Sequence, residues 1–299
     1  IEEEDSLSER LTEKHGTGPL LDRSGHAAFA KISVIRLPRI SNFTDFNALE
    51  RLPGIALSYV SRPEELTGSD LIILPGTKNT MGDLKWLRQN GLEAVITRMA
   101  GKGIPVIGVC GGFQMLGTSL SDPHGVEEGG TMRGMELLPI RTIFAEKKTR
   151  TRVNGTAAGF SNDGVPVKIN GYEIHMGITE LTGKAEPIFA KTQDNQSQTT
   201  QTVQTMVHQN WEGLEREDGL VIGTYLHGLF DNEELVSALL EKLAEKKGIS
   251  LEITTESQEV YKQRQYDKLA DLIRESLDMK AIYEIMGLNG EDLKCRTQN

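Results

Sequence analysis

The sequence has very little cysteine and no long hydrophobic run, and each shortage excludes a class of protein. Its 299 residues include only Cys110 and Cys295, with no CxxC and no Cys/His pair at metal-ligand spacing. This pattern excludes a disulfide-built scaffold, indicates no metal site, and is typical of a reducing cytoplasm. Because no stretch approaches the roughly 20 apolar residues of a membrane-spanning helix, we expect no membrane partner. The acidic start, Ile1 to Asp5, is unlike a secretory signal.

Clusters of basic residues are missing as well. The chain has 33 Lys and Arg against 43 Asp and Glu, which gives a net charge of -10. Nucleic-acid binding depends on clustered Lys and Arg that neutralise phosphates, so we expect no nucleic-acid partner. With 37% hydrophobic residues the chain can instead bury a full core, as one large domain or two.

From Lys31 onwards, short apolar runs alternate with segments of helical spacing. This alternation is typical of an α/β fold with a mainly parallel central sheet flanked by helices. After Gly130 the texture becomes β-rich, which predicts antiparallel additions. We expect an arm over 1–30, a main domain over 31–248 and a C-terminal helical tail over 249–299. The predicted strands cover 32–37, 55–60, 71–74, 105–109, 135–140, 141–144, 165–169, 172–175 and 220–226; the predicted helices cover 42–49, 80–89, 92–100, 113–120 and 257–286, with a further helix after Asp231 and a loop over 183–204.

Cys110 stands where a predicted buried strand meets a helix. The apolar run Pro105 to Val109 precedes it, and Gly111 and Gly112 follow it. A strand that turns at once into a helix strains its turning residue, and glycines admit the tight backbone. The free N–H groups of the new helix favour thiolate over thiol, so the pattern predicts a nucleophile at the carboxyl edge of the sheet. The alternative is a small core residue, which would not need the glycines.

His227 ends a later apolar run, Leu220 to Leu226, as Cys110 ends the earlier one. A cysteine nucleophile needs a base to form the thiolate and an acid to protonate the leaving group, and a histidine near neutrality can do both. We therefore predict His227 as this acid and base, with a purely structural histidine as the alternative. Of the other histidines, His175 is the one whose sequence surroundings leave a role in the site open.

A third strand end suggests an oxyanion site. Attack on a carbonyl group develops negative charge that fixed N–H donors must stabilise. The loop Leu74 to Asn79 follows a predicted strand, and its Gly76 N–H could act together with that of Gly111. The alternative interpretation is an ordinary Pro-Gly turn.

These segments together carry a family resemblance. The sequence GVCGGFQMLG at 108–117, with LPGTKNT before it and GYEIHMG and GTYLHGLFDN after it, resembles a class I (triad-type) glutamine amidotransferase domain. The resemblance extends over about residues 31–247 and is strongest to members that amidate corrinoids in cobalamin biosynthesis. It implies a flavodoxin-like arrangement of the parallel sheet.

The resemblance implies that glutamine is hydrolysed through a glutamyl thioester on Cys110, with His227 as the base. Ammonia would then pass to a corrinoid carboxylate that ATP has activated. By the same resemblance, Gly76 and Gly111 belong to the oxyanion loops, and Gln114 matches a position that contacts the substrate glutamine.

The chain departs from the family pattern in two ways. Related domains carry Glu two residues after the histidine, where this chain has Leu229. Glu173 is a candidate for the missing orienting acid, and His175 is a candidate for positioning the imidazole or the substrate. The chain also has no GxxxxGK[ST] phosphate-binding loop. We therefore expect no cofactor or metal in this chain, and expect ATP, Mg²⁺ and the corrinoid acceptor on an N-terminal synthetase domain outside it.

Other functions stay open at this point. One is a different enzyme of the same superfamily, such as cobyrinic acid a,c-diamide synthase, a cell-wall amidotransferase or a cysteine hydrolase. Another is a non-catalytic docking domain, which the loss of the usual Glu would suit. The intact Cys110 turn and His227 weigh against that second interpretation.

Overall fold

The apolar runs between residues 30 and 110 form buried strands in the computed structural model, which describes residues 20–162, 165–192, 211–250 and 258–287. The chain divides into two units, one within Glu2–Thr255 and one within Glu256–Asn299. Within the described ranges, no helix combines the length and the apolar composition needed to cross a membrane.

The larger unit contains all of the described strands and five helices. The strands are β1 (Ala30–Ile35), β2 (Ile40–Ser41), β3 (Ile55–Val60), β4 (Leu71–Leu74), β5 (Gly76–Thr77), β6 (Val106–Val109), β7 (Ser119–Asp122), β8 (Gly130–Arg133), β9 (Ile140–Asn162), β10 (Val165–Leu181), β11 (Glu186–Lys191), β12 (Trp211–Glu215), β13 (Val221–Thr224) and β14 (Leu226–His227). The helices are α1 (Asn47–Glu50), α2 (Thr80–Gln89), α3 (Leu92–Gly101), α4 (Gly111–Met115) and α5 (Glu233–Lys246).

Five parallel strands form the centre of the main sheet, in the order β3-β1-β4-β6-β13. Their residues are almost all buried because apolar clusters cover both faces of the sheet. Beyond β13 the sheet continues with antiparallel strands in the order β12, β11, β9, β10 and β14. The predicted fold class, a mainly parallel sheet with helices and antiparallel additions, is therefore confirmed. The carboxyl ends of β4, β6 and β13 meet at one edge.

The helix predicted after Cys110 is shorter than expected. It ends at Met115 instead of Leu120, and the chain enters β7 at Ser119. The cause is close packing against β9, because Thr118 N–H donates to the Ile140 carbonyl at 2.6 Å and a Cβ on Gly117 would lie 2.8 Å from the same oxygen. The chain therefore leaves the helix to join the sheet.

The β-rich region also differs from the prediction. The strand predicted over 135–140 is an irregular segment whose N–H groups bond carbonyls of 115–117, which ends α4. The separate strands predicted at 165–169 and 172–175 are parts of the single strand β10. The loop predicted over 183–204 contains β11, and its residues 193–204 lie outside the described residues.

The structure describes the predicted arm and the predicted tail only in part. Of the arm predicted over 1–30, residues 20–29 form a turn closed by a bridge between Leu21 and Ala27, and residues 1–19 lie outside the described residues. In the described part of the smaller unit there are two helices, α6 (Gln258–Ser276) and α7 (Met279–Ile285), where one was predicted over 257–286. The Asp278 side chain caps α7, which explains the break.

Candidate active site

Cys110 occupies the sharp turn between β6 and α4. Its φ of 52° and ψ of −108° lie where residues with a side chain are rarely found, a strain of order 1–3 kcal/mol. Its N–H donates to the Thr224 carbonyl at 2.8 Å, which fixes the turn against the end of β13. The half-buried thiol donates to the Ile174 carbonyl at 3.3 Å. The turn therefore presents the sulfur at the carboxyl edge of the sheet.

The glycines beside Cys110 are required by close packing. A Cβ on Gly112 would lie 2.0 Å from the Leu74 carbonyl oxygen, and one on Gly111 would lie 2.7 Å from the Thr77 methyl group. The Gly112 N–H also donates to the Pro75 carbonyl at 3.1 Å. As a result, α4 begins directly against the end of β4, and Cys110 lies beside the loop that follows β4.

His227 ends β14 and is buried, with its imidazole contacted from several directions. Nδ1 lies 2.7 Å from Oδ2 of Asp45. The ring also interacts with the Cys110 thiol, which helps to raise the pKa of His227, and Nε2 is the ring nitrogen that Asp45 leaves available. One ring face stacks on Tyr172 with the centroids 5.3 Å apart. The structure thus brings the two predicted residues Cys110 and His227 together.

The surroundings of His227 set its charge. Burial alone would lower the pKa of the imidazole, but the hydrogen bonds to Asp45 and Cys110 outweigh burial and raise the pKa to about 10. The ring is therefore protonated at neutral pH.

Asp45 is a site residue that the sequence patterns did not single out. It lies on a 3-10 turn, Phe43–Phe46, that follows β2. Its carboxylate is buried and uses both oxygens, because Oδ1 accepts the Gly228 N–H at 3.3 Å while Oδ2 faces His227. A signal was available: the segment follows the first parallel strand, whose carboxyl end lies at the same edge as Cys110.

Neither Leu229, two residues after His227, nor the candidate Glu173 directs its side chain to the His227 imidazole. Leu229 is buried in the apolar cluster that lies under α5. Glu173 follows Tyr172 on β10, and since successive strand residues face opposite sides, its carboxylate lies away from the imidazole. Its Oε1 is 2.6 Å from Nζ of Lys191. The carboxylate at Nδ1 of the imidazole is that of Asp45, and not that of Glu173, which the sequence offered as one candidate.

Glu173 forms a buried acidic pair with Glu212 on β12. The Glu212 carboxyl group is fully buried and accepts bonds from the Thr224 hydroxyl and the Tyr225 N–H, both at 2.5 Å. Burial and the neighbouring Glu173 raise the pKa of Glu212 to about 7. Glu212 thereby holds the end of β13, which leads directly to His227.

His175 lies near the site as a neutral residue. Its ring stacks on Tyr225 with the centroids 3.7 Å apart, and its Nδ1 is 3.2 Å from the Gly177 carbonyl oxygen. Burial lowers the pKa of His175 to about 4. Because Nδ1 faces an acceptor, it carries the proton, and Nε2 is left as an acceptor. The positioning role predicted for His175 stays a prediction.

Gln114 lies in α4 with its amide buried and engaged by the protein. Oε1 accepts from the Thr80 hydroxyl at 3.1 Å, while Nε2 donates to the Met176 carbonyl at 2.9 Å and to the Tyr225 hydroxyl at 3.1 Å. The amide thus ties α4 to α2, β10 and the end of β13. The contact with substrate glutamine stays a prediction.

The two predicted oxyanion glycines lie close to the thiol and the imidazole, because Gly111 directly follows Cys110 and the Gly76 loop lies beside the His227 ring. Gly76 pairs with Ser41 across β5 and β2, and a Cβ on Gly76 would lie 3.5 Å from Cε1 of His227. The Thr77 hydroxyl donates to Asp83 at 2.5 Å, which fixes this loop. Gly111 is the first residue of α4, so its N–H has no partner within the helix.

The arrangement supplies a nucleophile, a protonated imidazole with a carboxylate partner, and the backbone N–H of Gly111, which has no partner within its helix. Such a set suits attack on a carbonyl or amide carbon. Across the described ranges, no group of three or more His, Cys, Asp or Glu side chains is placed to hold a metal ion.

Comparison with known proteins gives matches over most of the chain. Residues 31–235 match the family described as the CobB/CobQ-like glutamine amidotransferase domain. Among curated proteins, a cobyric acid synthase of Ruminiclostridium cellulolyticum is 46% identical over 96% of this chain and 52% of its own length. One of Lachnoclostridium phytofermentans is 45% identical over 96% of this chain and 54% of its own length. The chain thus spans about half the length of these relatives.

A solved structure shares the fold. The structure of PurLQS from Thermotoga maritima aligns with a TM-score of 0.53 at 21% identity, over 72% of this chain and 99% of that chain. At this identity the likeness concerns the fold alone, and it agrees with the parallel sheet and flanking helices described above.

Proposed function

Since the chain belongs to the CobB/CobQ-like glutamine amidotransferase family, we propose that it forms the glutaminase part of a cobyric acid synthase. The observation that supports this proposal most directly is the pairing of Cys110, at a strained strand-to-helix turn, with the protonated imidazole of His227. The two residues stand at the carboxyl ends of the parallel strands, where α/β folds hold their substrates.

In the proposed reaction, the Cys110 thiolate attacks the side-chain amide carbon of glutamine. The tetrahedral intermediate collapses when the His227 imidazolium gives its proton to the amide nitrogen. The nitrogen leaves as ammonia, and a glutamyl thioester remains on Cys110. The neutral imidazole then takes a proton from water, and the hydroxide formed attacks the thioester carbon. Glutamate leaves, and the proton held by the imidazole restores the starting pair.

The developing oxyanion would be stabilised by backbone N–H groups. Gly111 directly follows Cys110 and the loop at Gly76 lies beside the His227 ring, and each is held by its own contacts before substrate arrives. Preorganised donors of this kind each contribute about 10²- to 10³-fold to rate in acyl-transfer enzymes.

The ammonia would be used outside this chain. We propose that it reaches a corrinoid carboxylate activated by ATP and Mg²⁺ on a synthetase domain, and that the reaction takes place in the cytoplasm. The supporting facts are the curated names of the relatives and the half of their length that this chain leaves uncovered. The chain's lack of a phosphate-binding loop agrees with this division of labour.

Glutamate release from glutamine tests the proposal. The chain is assayed alone and together with the other half of such a synthase, using wild type and Cys110→Ala. We expect release in the wild type, faster with the partner half present, and none in Cys110→Ala. Full release by Cys110→Ala would reject the nucleophile and with it the proposed function.

Related enzymes of the same superfamily are distinguished by the acceptor and the substrate. A cobyrinic acid a,c-diamide synthase or a cell-wall amidotransferase would release glutamate but support amidation of a different acceptor. A cysteine hydrolase would not release glutamate and would tolerate Gln114→Ala. A docking domain would show neither activity, whichever partner is present.

A further inference from the structure

The chain has no acid two residues after His227, at the usual position of the residue that orients the histidine. A glutaminase histidine must keep one nitrogen toward the sulfur throughout the reaction, which requires a fixed acceptor at the other nitrogen. Leu229, at the usual position of that acid, is buried among apolar side chains. The acceptor must therefore come from another part of the chain.

We propose that Asp45 is the positioning residue of His227, so that the site works as a Cys110–His227–Asp45 triad whose acid comes from the turn after β2. This inference rests on the proposed function. The proposal stands on the 2.7 Å separation between Oδ2 of Asp45 and Nδ1 of His227. A carboxylate at this nitrogen keeps the proton on Nδ1 and stabilises the imidazolium during turnover.

The second oxygen of Asp45 makes the geometry specific. Oδ1 accepts the N–H of Gly228, the residue next to His227, at 3.3 Å. The carboxylate is thereby fixed to both the backbone and the ring of the same short segment. A bond that served only to close the turn would not also need the imidazole.

The segment that carries Asp45 is fixed on its N-terminal side. Ser41 pairs with Gly76 of the oxyanion loop, and the Asn42 amide donates to the Tyr172 hydroxyl at 3.1 Å. Tyr172 in turn stacks on the His227 ring. One short segment therefore positions the carboxylate and contacts the oxyanion loop and the residue beneath the imidazole.

The charge of the imidazole provides a readout that does not depend on catalysis. The titratable groups near the His227 ring are Asp45 from the turn after β2, Cys110 from the start of α4, and His175 and the Tyr172 phenol from β10. Of these, Asp45 is the residue whose carboxylate bonds Nδ1. Removing its charge while keeping its shape should therefore lower the pH at which His227 loses its proton.

The test compares wild type with Asp45→Asn by NMR of histidine labelled with ¹³C at Cε1. The chain has six histidines, and the His227 signal is identified by its absence in His227→Gln. We expect the titration midpoint of His227 to fall by at least about one pH unit in Asp45→Asn, and kcat for glutamate release to fall about 10²- to 10⁴-fold with KM nearly unchanged. An unchanged midpoint together with kcat within twofold of wild type would overturn the proposal.

Asp122→Asn is the matched control. Asp122 is also a buried aspartate, and its carboxylate accepts N–H groups of Val126, Glu127 and Gly129 at 2.8 Å. This variant is expected to lose stability without moving the His227 midpoint. If both variants moved the midpoint equally, the effect would be a general loss of structure and the proposal would fail.

A second variant keeps the test decisive if Asp45→Asn does not fold. Asp45→Ser leaves room for a small anion, and we expect formate, but not formamide, to restore part of kcat. Absence of rescue would overturn the role of Asp45. Because the NMR midpoint needs no glutamine, it reports on Asp45 even if Cys110→Ala were to reject the proposed function.

Discussion

At the scale of single residues, the site depends on how the His227 ring is held. The ring is fixed at Nδ1 by Asp45 and at one face by Tyr172, and it interacts with the Cys110 thiol. These contacts restrict rotation about the side-chain bonds, so the proton on the ring has one direction of transfer. The stacking residue is open to a simple test.

Replacing Tyr172 should separate stacking from hydrogen bonding. Tyr172→Leu removes an aromatic contact of about 0.5–1.5 kcal/mol, so we expect kcat for glutamate release to fall about 2- to 10-fold. Tyr172→Phe keeps the aromatic ring but loses the bond from Asn42, and it is expected to stay within twofold of wild type. Steady-state kinetics of both variants checks this, and equal losses in the two would assign the effect to the hydroxyl.

The residue scale also shows what sequence reasoning can reach. Cys110 and His227 were predictable because each ends an apolar run, and parallel strands bring such ends together. Asp45 follows a short polar segment with no pattern of its own, and its partner is 182 positions away in the sequence. The Glu173 side chain is turned away from the imidazole by strand alternation. This orientation depends on the register of β10, which the sequence alone does not give.

At the scale of elements, the contact between α4 and the end of β4 determines where Cys110 lies. Gly112 sits against the Leu74 carbonyl with no space for a side chain. The contact is backbone against backbone, so neither element can give way without moving the turn at Cys110. This predicts an unusual sensitivity to one methyl group.

We expect Gly112→Ala to destabilise the fold by about 1–3 kcal/mol, because the added methyl group overlaps the Leu74 carbonyl. Gly101→Ala is the matched control, since a Cβ at Gly101, the last residue of α3, meets open space. That variant should be as stable as wild type or more stable by up to about 1 kcal/mol. Urea unfolding measures both, and equal midpoints would contradict the packing argument.

Element boundaries could be predicted where flanking residues give a local signal. β3, β4 and α2 have the predicted bounds because glycine, proline or an Asn-Gly pair stops each of them. The end of α4 and the length of β9 and β10 could not be predicted, because they depend on pairing between residues far apart in sequence. The same holds for the antiparallel half of the sheet.

At the scale of the whole molecule, the buried Glu212 links folding to pH. Its pKa in the folded protein is raised to about 7 from an ordinary value near 4.5. The folded state therefore keeps a proton that the unfolded state releases between these values. The stabilisation is fully present below pH 4.5 and is lost as the pH rises toward 7.

Glu212→Gln should remove this dependence, because the amide does not titrate. We expect the free energy of unfolding of the variant to fall less than that of wild type between pH 4.5 and 7, as measured by urea unfolding at several pH values. Glu217→Gln, on the exposed turn after β12, should follow the wild-type curve. A Glu212→Gln curve parallel to that of wild type would show that the carboxyl group is not buried in its protonated form.

The register in which β10 pairs with β9 decides which side chain of β10 faces the imidazole. β10 presents Tyr172 to the imidazole on one face and Glu173 to Lys191 on the other. A slip of one residue would exchange these faces and leave a carboxylate where the phenol ring belongs. The register of the two strands shifts between Met176 and Ile178, where Gly177 has a φ of 110°, and this bulge opposes a one-residue shift of β10 along β9. The bulge thereby locks the alignment on which the chemistry depends.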